Sequence, residues 1–112
     1  MKIAIPMTQG VLCMHFGHCE DFVLLDVDAE KKEIISKSVV KPPAHEPGVL
    51  PRWLGELGAN LIIAGGMGIR AQQLFNQNNI SVIVGAAGET PENLALQYLN
   101  GTLVSGDNCC DH

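Results

Sequence analysis

"ANLIIAGGMGIRAQQLFNQN" (59–78) joins an unbroken apolar run to a glycine turn, and then to a stretch carrying Ala71, Leu74 and Phe75 at helical spacing. Consecutive apolar positions suit a strand covered on both faces, whereas the 3.6-residue period suits a helix with one buried face. The stretch predicts a strand around 60–64, a glycine turn, and a helix over 69–78. "ISVIVG" (80–85) follows as a further buried strand. A strand–helix–strand unit this short requires parallel strands joined by a right-handed crossover.

Working outward, "KIAIPM" (2–7) reads as a buried strand ended by Pro6 and the polar "TQG". "DFVLLDVDAEKKEIISKSVV" (21–40) reads as two strands around the charged turn "DAEKKE", antiparallel because the connection is short. Phe22, Leu24 and Leu25 in one, with Ile34, Ile35, Val39 and Val40 in the other, supply their apolar content. "KPPAHEPG" (41–48) is a loop, and "VLPRWLGELG" (49–58) a helix with Pro51 in its first turn and Gly58 past its end. "TPENLALQYLNG" (90–101) is a helix with Thr90 as N-cap, Pro91 at N1, Glu92 against the dipole, and Gly101 at the stop. The order β, β-hairpin, α, β, α, β, α predicts an α/β fold. Its simplest form is a five-stranded mixed sheet of order 3-2-1-4-5, with strand 2 alone antiparallel and helices on both faces. Residues 1–105 form a single domain in this reading, and 106–112 a flexible Cys/His tail.

The chain has 112 residues, 46% hydrophobic and 17% charged, enough for one core. Seven Lys and Arg against twelve Asp and Glu give a net charge of -5, the wrong balance for a nucleic-acid partner. No run approaches the ~18 apolar residues of a membrane span, and "MKIAIPMTQG" is too short for a secretory signal. A cytoplasmic location is expected, where thiols serve as ligands or redox groups more often than as disulfides.

In open α/β sheets, ligands bind beyond the carboxyl ends of the strands where the order reverses, here between strands 1 and 4. The loop after strand 1 is "VLCMHFGHCEDF" (11–22), and the loop after strand 4 is "GGMG" (65–68). "AHEPG" after strand 3 and "GAAGE" after strand 5 emerge at the same edge, so four loops converge. The first holds Cys13, His15, His18 and Cys19, soft donors suited to zinc, copper or iron–sulfur species. Their spacing is not that of a closed structural zinc site, which favours an open one. The alternative is that Cys13 and Cys19 are small core fillers. Phe16 can plug the core and hold His15 outward, with Gly17 allowing close approach.

Gly66 to Ala71 matches G-x-G-x-x-A between a strand and a helix, but the acidic residue that would hold a ribose is missing. What remains is an anion-binding nest at a helix tip, from Gly65, Gly66 and Gly68, with Arg70 adding positive charge. Met67 either offers a thioether or packs. His45 stands in the third loop at this rim. Cys109, Cys110 and His112 make the tail a second soft-metal candidate. Inward carboxylates for hydrolysis are absent from strand 1, and Asp26 and Asp28 sit at the far end of strand 2.

"HFGHCEDF" (15–22) after "KIAIP", followed by "IIAGGMG" (62–68), resembles the dinitrogenase iron–molybdenum cofactor biosynthesis family, from Met1 to about Ser105. This family includes NifX-like proteins, the carboxy-terminal domain of NifB, and the orange protein with its molybdenum–copper sulfide cluster. The resemblance implies a ribonuclease H-like three-layer fold and a carrier without catalytic turnover. It implies a metal–sulfur cluster of molybdenum with iron or copper, held non-covalently or partly ligated, and partners that assemble or accept it. The family's histidine maps to His15, and its glycine turn to Gly65, Gly66 and Gly68. Cys13, His18, Cys19 and the tail exceed that pattern. Zinc or copper handling, or thiol redox chemistry at Cys109 and Cys110, are the competing readings.

Overall fold

The first apolar run becomes β1 (Lys2–Thr8), the strand around which the rest of the sheet is laid. The computed structural model describes residues 1–13, 19–43, 48–86 and 88–103. Along the chain follow β2 (Val11–Leu12), β3 (Asp21–Asp28), β4 (Glu33–Val40), α1 (Val49–Glu56), β5 (Leu61–Ile63), α2 (Ile69–Gln77), β6 (Ser81–Ile83) and α3 (Pro91–Leu99). Among the described residues the strands form one mixed sheet in the order β4-β3-β1-β5-β6, with β2 added to β1 off this path. β3 is antiparallel to both of its neighbours, while β1–β5 and β5–β6 are parallel.

The sixth strand was not expected. Gln9 (φ 51°) and Gly10 (φ 82°) make a two-residue turn that pairs Thr8 with Val11 and Met7 with Leu12. Positive φ at both central positions is the turn whose twist matches a hairpin. β2 takes the side of β1 that β5 leaves, since β5 pairs with Ile3 and Ala4 only. Pro6 sits at this hand-over, where its missing N–H interrupts no ladder. β6 is also shorter than expected, ending at Ile83 instead of residue 85.

Alternation along the strands divides the core into two layers. Ala4, Phe22, Leu24 and Ile62 face one side, covered by Leu50 and Leu54 of α1 and Phe75 of α2. Ile3, Ile5, Val23, Leu25, Leu61 and Ile63 face the other, covered by Leu94 and Ala95 of α3. Burial on both sides explains why β1, β3 and β5 read as continuous apolar runs. Trp53 of α1 closes the first layer, edge-on to Phe22 at 5.7 Å between ring centroids. Of the apolar residues of β4, Ile34 and Val40 pack against these layers. β4 is the outer strand, and Ile35 and Val39 are 68% and 60% exposed.

The hairpin turn between β3 and β4 follows from Asp28, whose Oδ1 accepts the N–H groups of Glu30 and Lys31. Thr90 caps α3, its hydroxyl accepting the Asn93 N–H at 3.4 Å. Leu103 packs under α3, and the tail 106–112 lies outside the described residues. Among the described residues, no helix is long and apolar enough to cross a membrane.

Candidate functional site

The loops that follow β1, β5 and β6 are joined by backbone hydrogen bonds at one edge of the sheet. Ala64 N–H donates to Ile83 O at 2.8 Å, Gly85 N–H to Gly65 O at 2.7 Å, and Ala86 N–H to Ala64 O at 3.2 Å. Leu12 N–H reaches Glu89 O at 3.0 Å, tying the β2 segment to the turn before α3. β4 ends here too, because Val40 stands opposite Phe22, and Phe22 opposite Pro6 near the end of β1. The described parts of the loops after β1, β5 and β6 thus meet at this edge and β4 ends beside them, while residues 44–47 of the fourth loop lie outside the described residues. Gly85 (φ 80°) and Gly48 (φ 83°) are left-handed glycines at this rim, and the sequence reading singled out neither.

Cys13 and Cys19 bracket the His15–His18 segment, and their positions are fixed by β1. Cys13 N–H donates to Pro6 O, and Glu20 N–H donates to Met7 O, both at 2.9 Å. Successive carbonyls of a strand point to opposite sides, so the two ends of the segment straddle β1. Thr8 Oγ1 holds the far end by donating to Glu20 Oε1 at 2.7 Å. Both cysteines are buried, within one apolar cluster that also contains Ala64, Met67 and Phe22. Met67 is fully buried. These three sulfur residues thus form the floor beneath the rim, the arrangement expected of core packing.

The glycine turn differs from the expected nest in one respect. Gly68 enters α2 from extended backbone (φ -63°, ψ 152°), where any residue fits. Gly65 and Gly66 are buried. No side chain caps α2, so its first-turn N–H groups and the positive end of its dipole face the rim. Gln72 fastens the turn, its Nε2 donating to Met67 O at 3.0 Å. Arg70 is exposed in that first turn, and among the described residues it makes no ion pair. Lys41 is committed differently: its ammonium lies 2.8 Å from Asp21 Oδ1. The hydrogen bond and charge of Asp21 raise the Lys41 pKa, with Glu20 adding a smaller push. Arg70 and the α2 tip are thus positive features of this edge that no described side chain neutralises, as are Arg52 and the uncapped start of α1.

Phe16, Gly17, His15, His18, His45, Cys109, Cys110 and His112 all lie outside the described residues. Among the described residues, no group of three or more His, Cys, Asp or Glu side chains is placed to hold a metal ion. The structure brings Cys13, Cys19, Gly65, Gly66, Met67, Gly68 and Arg70 to one edge. Sequence reasoning missed the anchoring by Thr8, Glu20 and Glu89. The Gln9-Gly10 pair between two short apolar segments was the available signal for the hairpin that sets them.

The model of the family described as dinitrogenase iron-molybdenum cofactor matches residues 1–101. MJ0580 of Methanocaldococcus jannaschii is 32% identical over 108 residues, covering 92% of this chain and 89% of that protein. The crystal structure of PH0822 superposes with a TM-score of 0.84 at 29% identity, covering 94% of each chain. The apo form of the orange protein from Desulfovibrio gigas gives 0.72 at 23% identity, covering 96% of this chain and 93% of that one.

Proposed function

Because the chain belongs to the dinitrogenase iron-molybdenum cofactor family, we propose that it is a small carrier or scaffold for a metal–sulfur cluster, seated at the joined-loop edge of the sheet. The cargo is an iron–molybdenum cofactor precursor or a molybdenum–copper sulfide, exchanged with cluster-assembly and acceptor proteins in the cytoplasm without turnover. Residues 1–105 supply the domain, a ribonuclease H-like three-layer frame used here for binding only, with 106–112 as a Cys/His tail.

The observation that carries this reading is the set of backbone bonds uniting residues 12, 64, 65, 83, 85, 86 and 89. One of them ties Leu12, just before the histidine segment, to the turn before α3, and the others bind the loop after β5 to the loop after β6, beside the uncapped tip of α2, which supports a shared site there. Metal–sulfide clusters are bulky anions, and the chain carries a net charge of -5. The site must work by local attraction. Salt screens charges over ~8 Å, so Arg70 and the first-turn N–H groups outweigh distant carboxylates at contact. In this reading His15 and His18 are the imidazole donors, and the buried sulfurs of Cys13, Cys19 and Met67 keep the floor apolar.

The test is anaerobic titration with tetrathiomolybdate and copper or iron, read by optical spectra and acid-labile sulfide. Stoichiometric sulfide with a charge-transfer band is expected, lost in His15→Ala. Gly68→Ala adds a second arm. A Cβ there meets nothing within 4 Å and needs no change of φ, so the fold is kept while close approach of an anion to the backbone is obstructed. Zinc bound without sulfide, or full binding in both variants, would reject the assignment.

A further inference from the structure

Residues 67–69 lead from the glycine turn into α2, and one residue governs how their peptides lie. Gln72 binds two consecutive carbonyls. Its backbone N–H donates to Gly68 O at 3.1 Å, and its side-chain Nε2 donates to Met67 O at 3.0 Å. The first bond belongs to the helix and forms with any residue at 72 except proline. The second needs an amide donor at the end of a side chain of this length. It is partly buried, where water competes less for the donor.

Among the described residues no peptide bond is cis, and in a trans peptide the N–H points opposite to the C=O. Met67 O and Gly68 O are both drawn toward Gln72, about one turn into the helix. The N–H groups at the other ends of these two peptides, those of Gly68 and Ile69, therefore point away from the helix and off the edge of the sheet. Neither has a backbone acceptor among the described residues, and no side chain caps α2. Successive N–H groups presented together make a concavity for anions. The backbone of Gly68 does not enforce this by itself. Its φ of -63° and ψ of 152° are ordinary extended values, and a glycine accepts φ of either sign, so the Met67–Gly68 peptide is free to turn over unless something holds its carbonyl. We propose that Gln72 is a positioning residue of the cargo site. Its side-chain amide holds the Met67–Gly68 peptide with the N–H outward, and so sets the affinity of the α2 tip for an anionic metal–sulfur cargo. This rests on the carrier function proposed above. Gln72 touches no cargo and acts through the backbone of Gly68.

Three variants of the full-length protein test this. Gln72→Met keeps the length of the side chain and removes the donor, and Gln72→Glu keeps its shape and puts an acceptor in the donor's place. Asn78→Ala is the control, because Asn78 Nδ2 donates to Leu74 O at 2.8 Å, a bond of the same kind at the opposite end of α2. In titration with tetrathiomolybdate and copper, Gln72→Met should raise the dissociation constant on the order of tenfold, the worth of one hydrogen bond to a charged group. Gln72→Glu should bind more weakly still, and Asn78→Ala should bind as the parent does. The one-bond N–H residual dipolar coupling of Gly68, measured without cargo, reads the peptide directly. It should match a single fixed orientation in the parent and shrink in Gln72→Met, by averaging over two orientations. An unchanged coupling or parent-like binding in Gln72→Met would overturn the proposal, as would equal weakening by Asn78→Ala. If the parent itself takes up no tetrathiomolybdate, the carrier function fails, while the coupling still decides whether Gln72 holds this peptide.

Discussion

Removing the side chain of Met67 should unfasten the floor of the rim. Met67 is 0% exposed and belongs to the same buried cluster as Cys13, Cys19, Phe22 and Phe75. Truncating a buried Met to Ala costs ~2–5 kcal/mol, with larger values where neighbours cannot collapse. Here the neighbours are strand and helix residues held by the sheet, so about 3 kcal/mol is expected. At ~2.1 cal/mol/K per residue, this chain unfolds with an entropy of about 0.24 kcal/mol/K, and Met67→Ala should lower Tm by about 13 °C. Met67→Leu nearly conserves volume and should cost under ~1.5 kcal/mol, or about 6 °C. Differential scanning calorimetry measures both. The same leucine variant separates packing from ligation, because it deletes the sulfur and keeps the fold. It should bind tetrathiomolybdate with copper as the parent does. A Met67→Ala protein melting within ~2 °C of the parent would refute the packing account. A Met67→Leu protein that folds but gives no charge-transfer band would make the thioether a ligand.

Thr90→Ala should cost about 0.5–1 kcal/mol in denaturant unfolding, the low end for an N-cap, because its bond to Asn93 is long at 3.4 Å; a loss above ~2 kcal/mol would mean the hydroxyl does more than cap. Gly58→Ala should destabilise by roughly 1–2 kcal/mol, since φ is 89° and the nearest atom to a new Cβ, Lys2 Nζ, lies 3.8 Å away, so the cost is conformational and not steric; an unchanged chemical denaturation midpoint would contradict that backbone geometry. The raised pKa of Lys41 means the pair with Asp21 contributes stability below the ordinary lysine value of 10.5 that disappears as pH rises through the higher folded value. Asp21→Asn should bring the Lys41 titration midpoint down by NMR, and a midpoint that stays put would assign the shift to another group.

The fold was legible where one physical signal dominated. "LIIAGGMG" marked a strand covered on both faces and then a turn, and Thr90, Pro91 and Gly101 mark the limits of α3 closely; "ISVIVG" was expected to be buried as well, but β6 ends the sheet and is half-exposed. β2 escaped notice because two residues carry no periodicity, and its evidence was turn chemistry at Gln9-Gly10. The exposure of Ile35 and Val39 was not legible, because apolar composition records burial on average and not which strand ends a sheet. At the site, the meeting of "VLC" with "GGMG" followed from strand order. That Cys13 and Cys19 lie beneath the rim depended on carbonyls of Pro6 and Met7 some residues away, which no spacing rule encodes. Gly68 shows the converse: a glycine in a fingerprint pattern adopts ordinary extended backbone.

The two carbonyls at the end of β1 also set what evolution or an engineer can do with the segment they clasp. Its entry and exit are pinned to adjacent residues of the innermost strand, so a change of length between them leaves both anchors where they are. Doubling the length of such an insert adds only about 0.6 kcal/mol of closure entropy. A frame of this kind works like a socket, in which one short stretch can be rewritten while both clasps and the remainder of the molecule are inherited intact.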